Sequence, residues 1–149
     1  MRPSFDRNIE YLVTHAPRPD MRRSKDSTEA TKHFIDLERY GPDAATRMPM
    51  DWETAVKLYS KYSLLKYGYV PYHVLYMKSK LTGAFKTGNK DSILFYAADI
   101  GHYIGDANVP LHTTVNYDEQ LTNHRGLHSF CESLIPELLF GDFNPPAGH

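Results

Sequence analysis

Apolar residues recur at spacings of three and four along most of the chain, and no segment alternates between apolar and polar positions as a half-buried strand would. We therefore predict an all-α fold. The last predicted helix, residues 127–139, contains Pro136, which is expected to disturb it. The predicted helices cover residues 5–14, Asp51 as N-cap to about Tyr67, Pro71 to about Lys86, Asp91 as N-cap to a point before Pro110, and residues 127–139.

The segments between these helices are polar or rich in proline. Residues 15–30 and 111–125 are predicted to be loops, and the tail from 143 to 149 is predicted to be irregular. Residues 31–40 fit either a helical turn or an extended segment, which Gly41-Pro42 ends. No repeat or linker is evident, so the 149 residues are predicted to form one domain, residues 1–149.

Composition excludes several classes of protein. The 17 basic and 18 acidic residues nearly cancel, which is not the charge of a dedicated duplex-DNA binder. A single cysteine, Cys131, allows no internal disulfide. The N-terminal residues contain no apolar run typical of a signal peptide, so the chain as written is expected to be cytoplasmic.

Two histidine–carboxylate pairs carry the candidate chemistry. His102 and Asp106 are four residues apart, as are His128 and Glu132, so each pair shares one face of a predicted helix. One such pair alone is more often a surface ion pair. Two pairs on successive helices, with His112 just after Pro110 between them, instead favour a metal site.

Zinc binds nitrogen, sulfur and oxygen ligands in a roughly tetrahedral arrangement, and a catalytic zinc keeps one position open. His112, His128 and Glu132 would supply three ligands and leave that opening. A second predicted set consists of Asp36, His73, His102 and Asp106.

The motifs around these residues resemble those of the zinc-dependent phospholipase C and single-strand nuclease (3'-nucleotidase) superfamily. The run from Ala98 to His112 resembles its signature, His-x3-Asp followed by Pro-Leu-His, and His128-x3-Glu132 resembles the distal block. His33-Phe-Ile-Asp36 and Val70-Pro-Tyr-His73 are similar to flanking motifs. The resemblance covers about residues 9–139 and is greatest to the bacterial phospholipase C-like branch.

The resemblance implies a helical bundle with a cluster of three zinc ions. One zinc would be held by Asp36, His73, His102 and Asp106. A second would be held by His112, His128 and Glu132, and Asp106 would also bridge to a third. Asp36 would act as a ligand, a general base, or both. The third zinc would lack its N-terminal tryptophan and histidine ligands, since Trp52 is the only tryptophan. We therefore expect a chain truncated at both ends.

The function implied is zinc-dependent hydrolysis of phosphodiesters, of phospholipase C type. The substrate would be a phospholipid head group, with transient contact to a membrane surface, or single-stranded nucleic acid. The alternatives are a single-strand nuclease and an inactive helical domain stabilised by zinc. No stable protein partner is expected, and the resemblance implies a secreted or periplasmic enzyme.

Overall fold

The structure, a computed structural model, describes residues 8–135 and confirms the all-α class. The α-helices are α1 (Ile9–His15), α2 (Arg18–Arg22), α3 (Ala44–Arg47), α4 (Trp52–Tyr59), α5 (Lys61–Tyr67), α6 (Val70–Thr87), α7 (Lys90–Ala107) and α8 (Leu127–Ser129). Short 3-10 turns cover Ala30–Lys32, Leu37–Tyr40 and Pro110–Thr113, and a π-helical turn covers Phe130–Leu134. Within residues 8–135 the β-structure amounts to one antiparallel bridge between Ile35 and Gly68.

The chain divides into two compact units, the first ending at Thr114 and the second beginning at Val115. In the first unit, α6 and α7 form the main helix pair, and α1 and α2 pack against α7. The prediction of a single domain stays a prediction. None of the helices described is both long and apolar enough to span a bilayer.

The core of the first unit lies where α4, α5 and the start of α6 meet the segment around residue 35. Its buried members are Ile35, Tyr40, Ala44, Ala55, Leu64, Val70 and Tyr72. The phenol of Tyr40 donates a hydrogen bond of 2.8 Å to the carbonyl of Gly68, so the polar tip of this buried ring is satisfied.

The starts of α5 and α7 differ from the predictions, because each helix has a different N-cap residue from the one expected. The predicted helix from Asp51 to Tyr67 is broken at Ser60, whose φ of 67° is incompatible with a helix and whose hydroxyl accepts the amide proton of Ser63 at the start of α5. The N-cap of α7 is Asn89 rather than Asp91, because the Asn89 side chain accepts a hydrogen bond from the Ser92 amide. Asp51 is confirmed as the N-cap of α4, with Thr54 as its donor.

The predicted loops also contain regular structure. Residues 15–30 include α2, which begins at Arg18 and has Pro19 in its first turn, where proline is tolerated. Residues 31–40 form parts of two 3-10 turns around an extended stretch. The predicted last helix is described to residue 135, and the remainder of it lies outside the described residues, as does the tail.

Gly68 allows the close approach that holds the extended stretch in place. Its φ is 85°, and a Cβ at this position would lie 2.3 Å from the carbonyl oxygen of Phe34. The same Phe34 oxygen accepts the amide proton of Val70 at 3.1 Å, and the Asp36 amide donates to Tyr67. Only glycine fits here without moving the backbone.

We predict that Gly68→Ala lowers the free energy of unfolding by at least about 2 kcal/mol, through positive φ and the clash with Phe34. The control is Gly83→Ala inside α6, where a Cβ meets nothing within 4 Å. That change should raise stability by about 0.5–1 kcal/mol, since alanine is the better helix former. Urea unfolding measures both, and an unchanged Gly68→Ala midpoint would contradict the contact.

Candidate metal centre

Three ligand-type side chains of the first unit, Asp20, His33 and His102, place one potential ligand atom each within 4.8 Å of one another, and Asp106 lies beside two of them. Nδ1 of His33 lies 2.8 Å from Asp106 Oδ2 and 3.2 Å from Nε2 of His102. Nε2 of His102 lies 3.3 Å from the same oxygen of Asp106. The two oxygens of Asp20 lie 3.6 Å from His33 Nδ1 and 3.7 Å from His102 Nε2. We call these four residues the His33 cluster.

The members of the His33 cluster come from three separate parts of the chain. His102 and Asp106 share one face of α7, as their spacing predicts. Asp20 lies in the middle of α2, and His33 ends the 3-10 turn Ala30–Lys32. His33 is 2% exposed and Asp20 is 54% exposed, so the cluster is buried on one side and open to solvent on the other.

The backbone around His33 is fixed from two sides. The amide of Tyr69 donates to the carbonyl of Thr31, and the amide of Ile35 donates to the carbonyl of His112. Nδ1 of His112 in turn lies 2.7 Å from the carbonyl oxygen of His33. These hydrogen bonds fix the backbone from which the His33 side chain extends.

An ion-pair network behind the cluster joins α2 to α7. The guanidinium groups of Arg18 and Arg22 donate to opposite oxygens of Asp99, at 2.6 and 2.8 Å, and Asp99 is 2% exposed. Arg18 also stacks over the ring of Phe95 at 3.9 Å. Removing one partner of such a buried pair costs about 3–5 kcal/mol, so these contacts hold α2 in place on α7.

Glu29 is the second buried carboxylate of this network. Its Oε2 accepts a hydrogen bond of 2.6 Å from Lys32, while Oε1 accepts from the phenol of Tyr103 and from Arg22. Burial alone would raise the pKa of Glu29, but the hydrogen bonds from Lys32 and Tyr103 and the charges of Lys32 and Arg22 bring it down to about 2. Glu29 is therefore ionised at neutral pH. Its Oε1 lies 3.6 Å from Nε2 of His33.

Asp36 and His73, which were predicted to complete the set of His102 and Asp106, lie in other surroundings. The carboxylate of Asp36 makes no hydrogen bond or ion pair with the residues described, and burial together with the charge of Glu38 raises its pKa. The ring of His73 lies edge-on to Tyr103, with centroids 4.4 Å apart, and stacks on Tyr76. Their roles as ligands stay predictions.

The other predicted ligands divide between the two units. Nδ1 of His112 lies 3.7 Å from Oδ1 of Asp106 within the first unit. In the second unit, Nε2 of His128 lies 2.9 Å from Oε2 of Glu132, and Nδ1 of His128 faces the carbonyl of Tyr117 at 3.1 Å. The prediction that His112, His128 and Glu132 share one ion draws on both units and stays a prediction.

Asp20, His33 and Glu29 are the residues that the sequence predictions left out. Asp20 has no ligand-type neighbour at helical spacing, so only tertiary packing brings it to the cluster. His33 belongs to the block His33-Phe-Ile-Asp36, for which the resemblance implies Asp36 as the ligand. Glu29 precedes His33 by four residues, the spacing used for the other two pairs, and that signal could have found it.

Comparison of the chain with models of protein families, with curated proteins and with solved structures gives no match. The chemistry of the site therefore rests on its own geometry.

We predict that His73 makes stability depend on pH. Burial, with the charge of Lys32, lowers its pKa to about 4, against 6.5 for a free histidine. Between these values the unfolded chain binds more protons, so stability is complete above pH 6.5 and falls as the pH drops towards 4.

The loss assigned to His73 should be on the order of 2 kcal/mol. Urea unfolding of metal-free protein across this pH range measures it, and His73→Leu should flatten the profile. The same substitution at the exposed His124 is the control and should leave the slope unchanged. Parallel profiles for wild type and His73→Leu would show that His73 titrates normally in the folded chain.

Proposed function

We propose that the chain binds a divalent metal ion at the His33 cluster, that the ion is zinc, and that the bound ion serves to hydrolyse a phosphodiester. The observation that carries the proposal is the set of separations between donor atoms. In a tetrahedral zinc site with bonds of 2.0–2.1 Å, neighbouring ligand atoms lie about 3.3 Å apart. Asp20, His33 and His102 each place one potential ligand atom within 4.8 Å of the other two. Asp106 adjoins His33 and His102, and the five separations among these groups range from 2.8 to 3.7 Å.

The donor set also suits zinc chemically. Asp20, His33, His102 and Asp106 supply two imidazole nitrogens and two carboxylates, and imidazole favours zinc over magnesium or calcium. Two carboxylates directed at the same pair of imidazoles form a site that a cation completes. The motif resemblance, in which His102 and Asp106 are zinc ligands, supports the same ion.

The two sides of the site suit different tasks. His33, buried and fixed by backbone hydrogen bonds, would orient the ion, while the exposed Asp20 marks the side from which a substrate could enter. A zinc ion held there would supply a Lewis acid for a phosphoryl oxygen and would lower the pKa of a water molecule towards about 7. Lys32, Arg22 and Arg18 are engaged with Glu29 and Asp99, so they are not proposed to bind the phosphate.

One observation favours a second candidate, a domain in which zinc serves only folding. If Asp106 joined Asp20, His33 and His102 on one ion, the four protein ligands would close the site, and closed sets of four are typical of structural zinc sites. The exposure of Asp20 favours the catalytic reading, because an exposed carboxylate can be displaced by a substrate more easily than a buried one.

We predict that the full chain, purified without chelator, retains at least about one zinc ion. His102→Ala or Asp106→Ala should weaken zinc affinity by more than about 100-fold, since each removes a ligand outright. Competition with a fluorescent chelator measures this, and His124→Ala, an exposed histidine outside the cluster, should match the wild type. A wild-type chain that retains no zinc would rule out the metal centre.

We predict that the zinc-loaded chain hydrolyses a phosphodiester. Parallel assays on a chromogenic phosphocholine ester and on single-stranded RNA separate the phospholipase C-like enzyme from the nuclease. Activity should disappear in His102→Ala and persist in His124→Ala. If the loaded wild type cleaves neither substrate, and zinc removal unfolds it, the structural role is the correct one.

A further inference from the structure

The ring of His33 lies between the cation site and a buried carboxylate. Nδ1 faces His102 and Asp106, whereas Nε2 points the other way, towards Oε1 of Glu29 at 3.6 Å. Nε2 is buried and makes no hydrogen bond with any residue that the structure describes. A buried polar atom without a hydrogen bond lowers the stability of the fold by about 1–3 kcal/mol. The carboxylate of Glu29 beside Nε2 is an acceptor that could remove this cost.

Glu29 is held rigidly enough to act on the ring. Lys32 and Tyr103 bind its two oxygens, Arg22 reaches Oε1, and its side chain is 1% exposed. These contacts hold the carboxylate beside Nε2 of His33. Hydrogen bonds at such sites are often long without the bound ligand and tighten when it is present.

We propose that Glu29 is a positioning residue for the His33 ligand: its carboxylate accepts the Nε2–H proton of His33 and leaves the lone pair of Nδ1 directed at the cation. A ligating histidine generally donates its other N–H to such a group, which fixes the tautomer and makes the ligand more basic. The inference rests on the proposed function for the presence of the cation, and it adds a residue that does not itself touch the ion.

Glu29→Gln tests the role, with Lys32→Met as the matched control. Both changes break the ion pair between Lys32 and Glu29, but only the first removes the charge that faces His33. Glu29→Gln should weaken zinc affinity by about 10–100-fold, and Lys32→Met should change it by less than about threefold. Chelator competition measures the affinities, and circular dichroism establishes that both variants are folded. Equal losses would mean that Glu29 acts only through stability.

The tautomer of His33 in the zinc-loaded wild type provides a readout that needs no variant. A long-range proton–nitrogen correlation spectrum, assigned with His33→Gln, should show Nε2 protonated and Nδ1 bound to zinc. The opposite tautomer would overturn the inference even if Glu29→Gln fails to fold. Zinc binding with the wrong tautomer refutes the role of Glu29 alone, whereas a wild type without zinc refutes the proposed function as well.

Discussion

The pairing of Asp99 with two arginines is the interaction on which the rest of the site depends. Arg18 and Arg22 are one helical turn apart on α2, and both donate to the same buried carboxylate on α7. α2 has five residues and is far too short to be stable alone. The ion pairs of Arg18 and Arg22 with Asp99 therefore stabilise α2, whose own helix propensity is insufficient. They also place Asp20, which lies between the two arginines, beside His102 on α7.

A second constraint acts on the chain from residue 31 to residue 36. This stretch lies beside the junction of α5 and α6, which Gly68 allows to come within backbone contact of Phe34, and its other side binds the backbone of His112. The segments around Tyr67 and His112 are not regular strands. They nevertheless accept the backbone hydrogen bonds of the extended stretch, as neighbouring strands would in a sheet. This double attachment fixes the backbone that carries His33.

Buried charge is arranged so that the site has two different faces. Glu29 and Asp99 are almost fully buried, and each is paired with cations and with hydrogen-bond donors, which is the condition under which buried carboxylates are tolerated. These cations are therefore occupied by internal partners. Towards solvent, Asp20 is the most exposed member of the cluster, whereas His102 and Asp106 are mostly buried.

The sequence by itself determined the helical class and the pairs His102–Asp106 and His128–Glu132, because periodicity and spacing within one helix are local properties. It also determined the cap at Asp51, since an N-cap needs only its own helix. The break at Ser60 and the cap at Asn89 differ from the sequence predictions. At both places more than one polar side chain could accept the first free amide proton of the helix, and the sequence does not show which one does.

Only the tertiary structure decided which residues join His102 and Asp106. Asp20 is placed beside them by the ion pairs between α2 and α7. His33 is placed there by backbone hydrogen bonds of its neighbours to segments far along the chain. Asp36 and His73, which were predicted to belong to the same set, lie beside Glu38 and against the Tyr103 ring, and their roles as ligands stay predictions. The physical reason is that the residues of a cluster meet only when separate elements pack together, and the order of residues along the chain contains no distance between elements.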